Sequence, residues 1–269
     1  MAKQVVTEVK TVTPKMCTVW LEKNINNRSI NQRHVNILTR TMTQGDWELN
    51  GESLKFDTDG NILDGQHRMW ACIEANKSFR TMIVHGLPRG AFDTIDTGRI
   101  RAAHDVLAMR GEKDTVLLTG ILKHIGRYHT EQMLTTSKVT NKEVEALLER
   151  YPGARDMAHT LGRPAYRVRW CAPSVLGTCW FLAAEKNKAD ANTFFNGLIF
   201  GADLKTGSPI LTLRNKFIDI HAHKGQHLVS PQKIEMIIIA WNAFRAGKTI
   251  IHFKMQTLAR ESKQFPKFK

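Results

Sequence analysis

The chain has 269 residues, 42% hydrophobic and 24% charged, which is enough apolar material to bury a sizeable core and excludes disorder throughout. Lysine and arginine total 39 against 25 acidic residues, a formal charge of +14. That excess points to phosphate-rich partners: nucleic acid, nucleotides or acidic membrane surfaces.

The opening segment, MAKQVVTEVKTV, is polar and alternating and has no apolar stretch of the secretory kind, so a cytoplasmic protein is expected. Met16 to Leu21 predicts a strand. Gln32 to Gln44 predicts a helix with Val35, Leu38 and Met42 on one stripe, ended by Gly45. Ser53 to Phe56 and Asn61 to Leu63 predict two strands around Asp57-Thr58-Asp59-Gly60, because Asp-Gly supplies the positive φ that a tight hairpin needs. A helix over Gly65 to Ala75, with Met69, Cys72 and Ile73 inward, and a strand over Arg80 to Val84 complete a mixed α/β unit.

The texture changes near Arg110, Gly111 and Glu112, so the expected domains are 1–110 and 111–269. Beyond that point helical spacing dominates: Thr115 to Tyr128, Asn141 to Arg150, Pro173 to Glu185, Ala189 to Phe200, Ile210 to His221 and Ser230 to Ala246. Asn141 is a candidate cap, and Ser230-Pro231 matches an N-cap with proline following. Ile234, Ile237, Ile238, Trp241 and Phe244 form a core-facing stripe. The fold class is therefore α+β: a small mixed sheet with helices, then a mostly helical domain.

No apolar run reaches the ~18 residues of a membrane span, and no membrane partner is expected. Cys17, Cys72, Cys171 and Cys179 show no CxxC pair and no zinc-type spacing, and read as buried thiols. His221, His223 and His227 lack a Cys or carboxylate to complete metal spacing.

The segment richest in chemistry is Leu63-Asp64-Gly65-Gln66-His67-Arg68-Met69-Trp70-Ala71, where a strand ends in a polar turn and opens into a helix. A helix N-terminus offers unpaired amides and partial positive charge, Gly65 permits close approach of an anion, and Gln66, His67 and Arg68 add donors. Asp64 could hold a magnesium ion or accept a proton. On the same residues, Asp64 could instead cap the helix while His67 and Arg68 form surface ion pairs.

Asp64-Gly65-Gln66-His67-Arg68 after a hairpin, with a helix and short strand following, resembles the ParB/sulfiredoxin superfamily, most closely the DGQHR-type ParB-like proteins of phages and mobile elements. Asn27-Arg28-Ser29-Ile30 before the helix from Gln32 resembles the same order of elements, and the likeness spans Met16 to Leu87. It implies a ParB/sulfiredoxin-like fold over 1–110 and a nucleoside triphosphate, CTP or ATP, with Mg2+, held at the turn from Asp64 to Arg68. Arg28 would then contact a further phosphate. Sulfiredoxin carries cysteine where this chain has Gln66, and ParB carries a Glu-Arg-Arg version followed by a helix-turn-helix segment not evident here. Kinase-like relatives use an acidic residue to activate the attacking hydroxyl, and Glu52 is the catalytic candidate on that analogy.

Phe92 to Arg101 gathers acids, hydroxyls, a glycine and arginines into one turn. Asp96 is a candidate metal or base residue, and Arg99 and Arg101 could grip a phosphate or a substrate strand; the alternative is a turn whose acids pair with its own arginines. Tyr166-Arg167-Val168-Arg169-Trp170 interleaves cations with aromatics, a pattern that suits stacking on nucleic-acid bases, or else an ion-paired solvated face. From Phe244 onward basic residues dominate, Arg245 and Lys248 among them, which predicts a tail that binds phosphate without sequence preference. Three functions are compatible with these residues: a nucleotide-dependent, DNA-associated protein that hydrolyses a nucleotide or transfers a group; a non-enzymatic DNA-binding regulator or antagonist; and a metal-dependent ParB-like nuclease drawing Asp57, Asp59 and Asp96 toward Asp64.

Overall fold

The computed structural model describes residues 4–24, 27, 29–95, 102–135, 138–202, 204–223, 227–253 and 264–269. The chain separates into a unit of residues 1–100 and one of residues 101–269. The first unit runs β1 (Val6–Val12), α1 (Pro14–Leu21), α2 (Gln32–Thr43), β2 (Ser53–Asp57), β3 (Ile62–Asp64), α3 (Gln66–Ala75), β4 (Phe79–Leu87) and a 3-10 turn, Arg89–Thr94. The four strands form one mixed sheet in the order β1-β4-β2-β3. β4 is antiparallel to β1 and parallel to β2, and β2 and β3 form the antiparallel hairpin.

The segment expected as a strand, Met16 to Leu21, lies instead within helix α1. Thr13 caps it, its hydroxyl accepting the Met16 N–H at 3.3 Å, and Pro14 stands in the first turn, where a missing N–H costs nothing. These local start signals, together with burial of Cys17, override the β-branched character of the segment. The alternating N-terminal residues form β1. Helix α2 buries Val35 and Met42, and α3 buries Met69 and Cys72. They meet Leu54, Phe56, Ile62 and Ile83 of the sheet in one apolar core.

The second unit is helical among its described residues: α4 (Ala103–Met109), α5 (Thr115–His129), α6 (Asn141–Arg150), α7 (Ala154–Gly162), α8 (Pro173–Ala184), α9 (Lys188–Phe200), α10 (Pro209–Ala222) and α11 (Ser230–Arg245). Helices α4 and α7 were not expected, being short and giving only about two turns of periodicity. Two caps move by one residue. Thr140, not Asn141, caps α6, in a reciprocal box with Glu143. Val229 precedes α11 with its N–H bonded to Gln232 Oε1 at 3.0 Å, leaving Ser230 inside the helix.

The last described residues, 264–269, pack against the helical unit. Phe265 and Phe268 are buried in the core with Phe194, Trp241 and Ile237. Phe268 N–H reaches the Tyr128 hydroxyl, and Lys267 Nζ reaches Tyr128 O at 3.1 Å. Trp241 Nε1 donates to Lys269 O at 3.0 Å. All four cysteines are free and buried, Cys17 and Cys72 in the first unit, Cys171 and Cys179 in the second. Among the described residues no helix is long and apolar enough to cross a membrane.

Candidate phosphate-binding turn

The β3 to α3 junction begins at Gly65, whose φ of 103° belongs to the left-handed side of backbone space. A Cβ there would lie 2.3 Å from Leu54 Cδ2, so the tight turn depends on this glycine twice, through its backbone and through the absence of a side chain. The first α-type bond of α3 runs from Met69 N–H to Gly65 O at 3.1 Å. The amides of Gln66, His67 and Arg68 thus form the helix's first turn, where the partial positive charge is greatest.

Three charged side chains converge on this turn. Asp64 Oδ2 accepts from Lys55 Nζ at 2.7 Å and from Arg68 Nη2 at 3.0 Å. Lys55 and Asp64 face one another across the hairpin register, and Asp64 and Arg68 are four residues apart through the turn. Arg68 Nη2 also donates to Ser53 O at 3.0 Å. The guanidinium is therefore fixed from two sides, while its Nη1 is buried with no hydrogen-bond partner among the described residues. Burial alone would raise the Asp64 pKa, but Arg68, then Lys55, then the Gly65 N–H outweigh it and hold the carboxyl below its ordinary value. Asp64 is thus an anchored anion between two cations at neutral pH.

Gln66 and His67, expected to donate to phosphate through their side chains, turn inward. Gln66 is buried and its Oε1 accepts from Asn24 Nδ2 at 3.0 Å; His67 is buried and its Nε2 accepts the Asn31 N–H at 3.0 Å. That bond leaves the ring proton to Nδ1. Through these bonds Gln66 is tied to Asn24 and His67 to Asn31, while their backbone amides stay in the first turn of α3. Lys55, by contrast, was not singled out, although its place opposite Asp64 follows from pairing the two strands.

No family model, curated protein or solved structure matches the chain.

The remaining candidates disperse. Arg28, Asp96, Arg99 and Arg101 lie outside the described residues. Glu52 is exposed, and its carbonyl accepts from Thr81 Oγ1 at 2.9 Å. Asp57 is fully engaged: Oδ1 accepts from the N–H groups of Asp59 and Asn61 at 2.9 and 2.8 Å, and Oδ2 accepts from Asn61 Nδ2 and Arg89 Nη1 at 2.9 and 3.2 Å. Among the described residues no three His, Cys, Asp or Glu side chains gather as a metal site. The donor set at Asp64, two cations on one carboxylate oxygen, suits an anion and does not fit a resident Mg2+.

In the second unit Trp170 is buried against Phe217, ring centroids 5.7 Å apart, and Tyr166 lies edge-on to Phe200 at 5.4 Å. Trp170 belongs to the core and is not open to stacking on a base, whereas Tyr166 is half-buried beside the exposed Phe200. Arg167 and Arg169 are exposed; Arg167 Nη2 makes a long 3.4 Å bond to Gly162 O. Arg245 pairs with Asp190 at 3.0 Å and lies over Trp241, whereas Lys248 is exposed.

Proposed function

We propose that the turn between β3 and α3 binds a phosphate group of a nucleoside triphosphate, CTP or ATP, and that the protein is a DNA-associated member of the ParB/sulfiredoxin superfamily its Asp64 to Arg68 motif resembles. The observation that carries this is Arg68. Its guanidinium is held by Asp64 and Ser53 O, with Nη1 buried and unpaired among the described residues, and an unpaired buried donor of a charged group is costly unless a ligand completes it. A phosphate oxygen supplies the missing acceptor, Lys55 a second positive charge, and the first-turn amides of α3 the remaining donors. Asp64 keeps the two cations in place when phosphate is absent. Mg2+ would arrive coordinated to the nucleotide.

A second function, a DNA-binding regulator without turnover, is favoured by one feature: the Asp64 carboxylate is already spent on Lys55 and Arg68 and does not resemble a waiting base. The nuclease function draws no support from the described carboxylates, since Asp57 is engaged elsewhere.

Titration of the full chain with ATP, CTP and GTP in Mg2+, with and without DNA, followed by phosphate release, separates these functions. Nucleotide binding that weakens at least tenfold in Arg68→Ala and in Lys55→Ala is expected. Binding of no nucleotide, or binding indifferent to Arg68, overturns the assignment. Binding without phosphate release makes the protein a nucleotide-responsive binder.

A further inference from the structure

β1 stands at the edge of the sheet, with β4 its single strand partner among the described residues. From Val6 to Thr11 every residue is exposed, Val6 at 53% and Val9 at 46%. An edge strand of this length presents a row of unpaired backbone donors and acceptors, a template for another strand. Such edges are ordinarily blunted by a bulge, a proline or an inward charge. β1 contains no proline, and its register against β4 is unbroken from Val6 to Val12.

The sequence of β1, Val-Thr-Glu-Val-Lys-Thr-Val, is complementary to its own reverse. With Val9 at the centre of an antiparallel pair of two copies, Val9 faces Val9, Thr7 faces Thr11 and Val6 faces Val12. Glu8 of each copy faces Lys10 of the other. Alternation keeps each pair on one face, since Glu8 and Lys10 share a side and Thr7, Val9 and Thr11 share the opposite side. Within one chain Lys10 Nζ already reaches Glu8 Oε1 at 3.2 Å, so two copies would bring four alternating charges together. The strand carries equal positive and negative charge in a chain of net +14, which makes it a surface on which two copies can approach without strong repulsion.

We propose that β1 is a homodimerisation edge, at which a second copy of this chain pairs antiparallel about a two-fold axis through Val9 and joins the two sheets into one. The self-complementary order closes at two copies, because the same edge is used by both.

Charge reversal tests the register. Glu8→Lys alone sets lysine opposite lysine, and Lys10→Glu alone sets glutamate opposite glutamate. Sedimentation equilibrium of the full-length chain should show a concentration-dependent dimer for the unmodified protein and, for each single variant, a dimer weakened by about tenfold, two symmetric charge pairs having become repulsive. The double variant, and an equimolar mixture of the two single variants, should regain dimer, since both restore opposite charges. Circular dichroism and the melting temperature of each variant establish that these exposed substitutions leave the fold intact. A monomer at all concentrations overturns the proposal and leaves the edge to a foreign strand. A dimer indifferent to both single reversals, or one that the mixture fails to restore, overturns it equally.

Discussion

The hydroxyl oxygen of Tyr128 accepts a hydrogen bond from the backbone N–H of Phe268 at 2.9 Å, across 140 residues of sequence. Tyr128 lies near the end of α5, and its ring carries Lys267 Nζ 4.7 Å above the centroid. Tyr128→Phe removes the acceptor while keeping the apolar body, and leaves a buried amide unpaired. The expected loss of stability is about 1–3 kcal/mol, read as a lowered urea midpoint with an unchanged slope.

Gly65→Ala should be far more disruptive than its one added carbon suggests. The methyl group would meet Leu54 Cδ2 at 2.3 Å, on a residue already at φ 103°. Strain at a positive φ costs about 1–3 kcal/mol before the clash is counted. Differential scanning calorimetry should show a lower melting temperature, and nucleotide affinity should fall with it because the first turn of α3 moves.

Burial, reinforced by the charge of Arg127, pushes His124 down to about 4, and its Nδ1 has no hydrogen-bond partner among the described residues. As the folded value lies below the ordinary one, the unfolded chain takes up the proton first when the solution is acidified. The folded state is therefore fully favoured at neutral pH and loses stability as the pH falls from about 6.5 toward 4, by on the order of 3 kcal/mol at the lower limit. His124→Gln should flatten this part of the profile. Hydrogen exchange of the α5 amides at pH 7 and pH 5 is the measurement; equal protection at both pH values in the unmodified chain would show that His124 is not the titrating group.

Arg167 and Arg169 should separate from Trp170 in their effects. Replacing both arginines with alanine should weaken DNA binding at every sequence tested and reduce the salt dependence by about 2 in logarithmic slope, one for each lost phosphate contact. Trp170→Ala should instead destabilise the helical unit by about 3–5 kcal/mol through loss of buried ring contacts. Binding at several salt concentrations, beside a melting curve for each variant, distinguishes loss of contact from loss of fold.

Where backbone sterics decide the outcome, the linear chain could be read directly. The hairpin around Asp57 to Gly60, the glycine opening α3 and the stripe Val35, Leu38, Met42 all follow from short-range rules, and the corresponding elements stand within a residue or two of expectation. The segment Met16 to Leu21 misled because β-branched residues outweighed the Thr13-Pro14 start signal two residues earlier. Trp170 misled for another reason. An aromatic beside arginine has the same local pattern whether it faces water or the core, and its burial is set by Phe217, far along the chain. At the turn, glycine and the Asp64 to Arg68 spacing were legible, whereas the inward bonds of Gln66 and His67 depend on Asn24 and Asn31, whose proximity exists only after folding.

The buried thiols provide an internal clock for each half of the molecule. Cys17 and Cys72 lie in the first unit, Cys171 and Cys179 in the second, and burial pushes Cys171 up to about 12 and raises Cys179 as well. A hidden thiol reacts with an alkylating reagent only during an opening event. Mass spectrometry of peptides labelled over time would thus yield two separate opening rates from a single unmodified protein, without a fluorophore or an engineered probe.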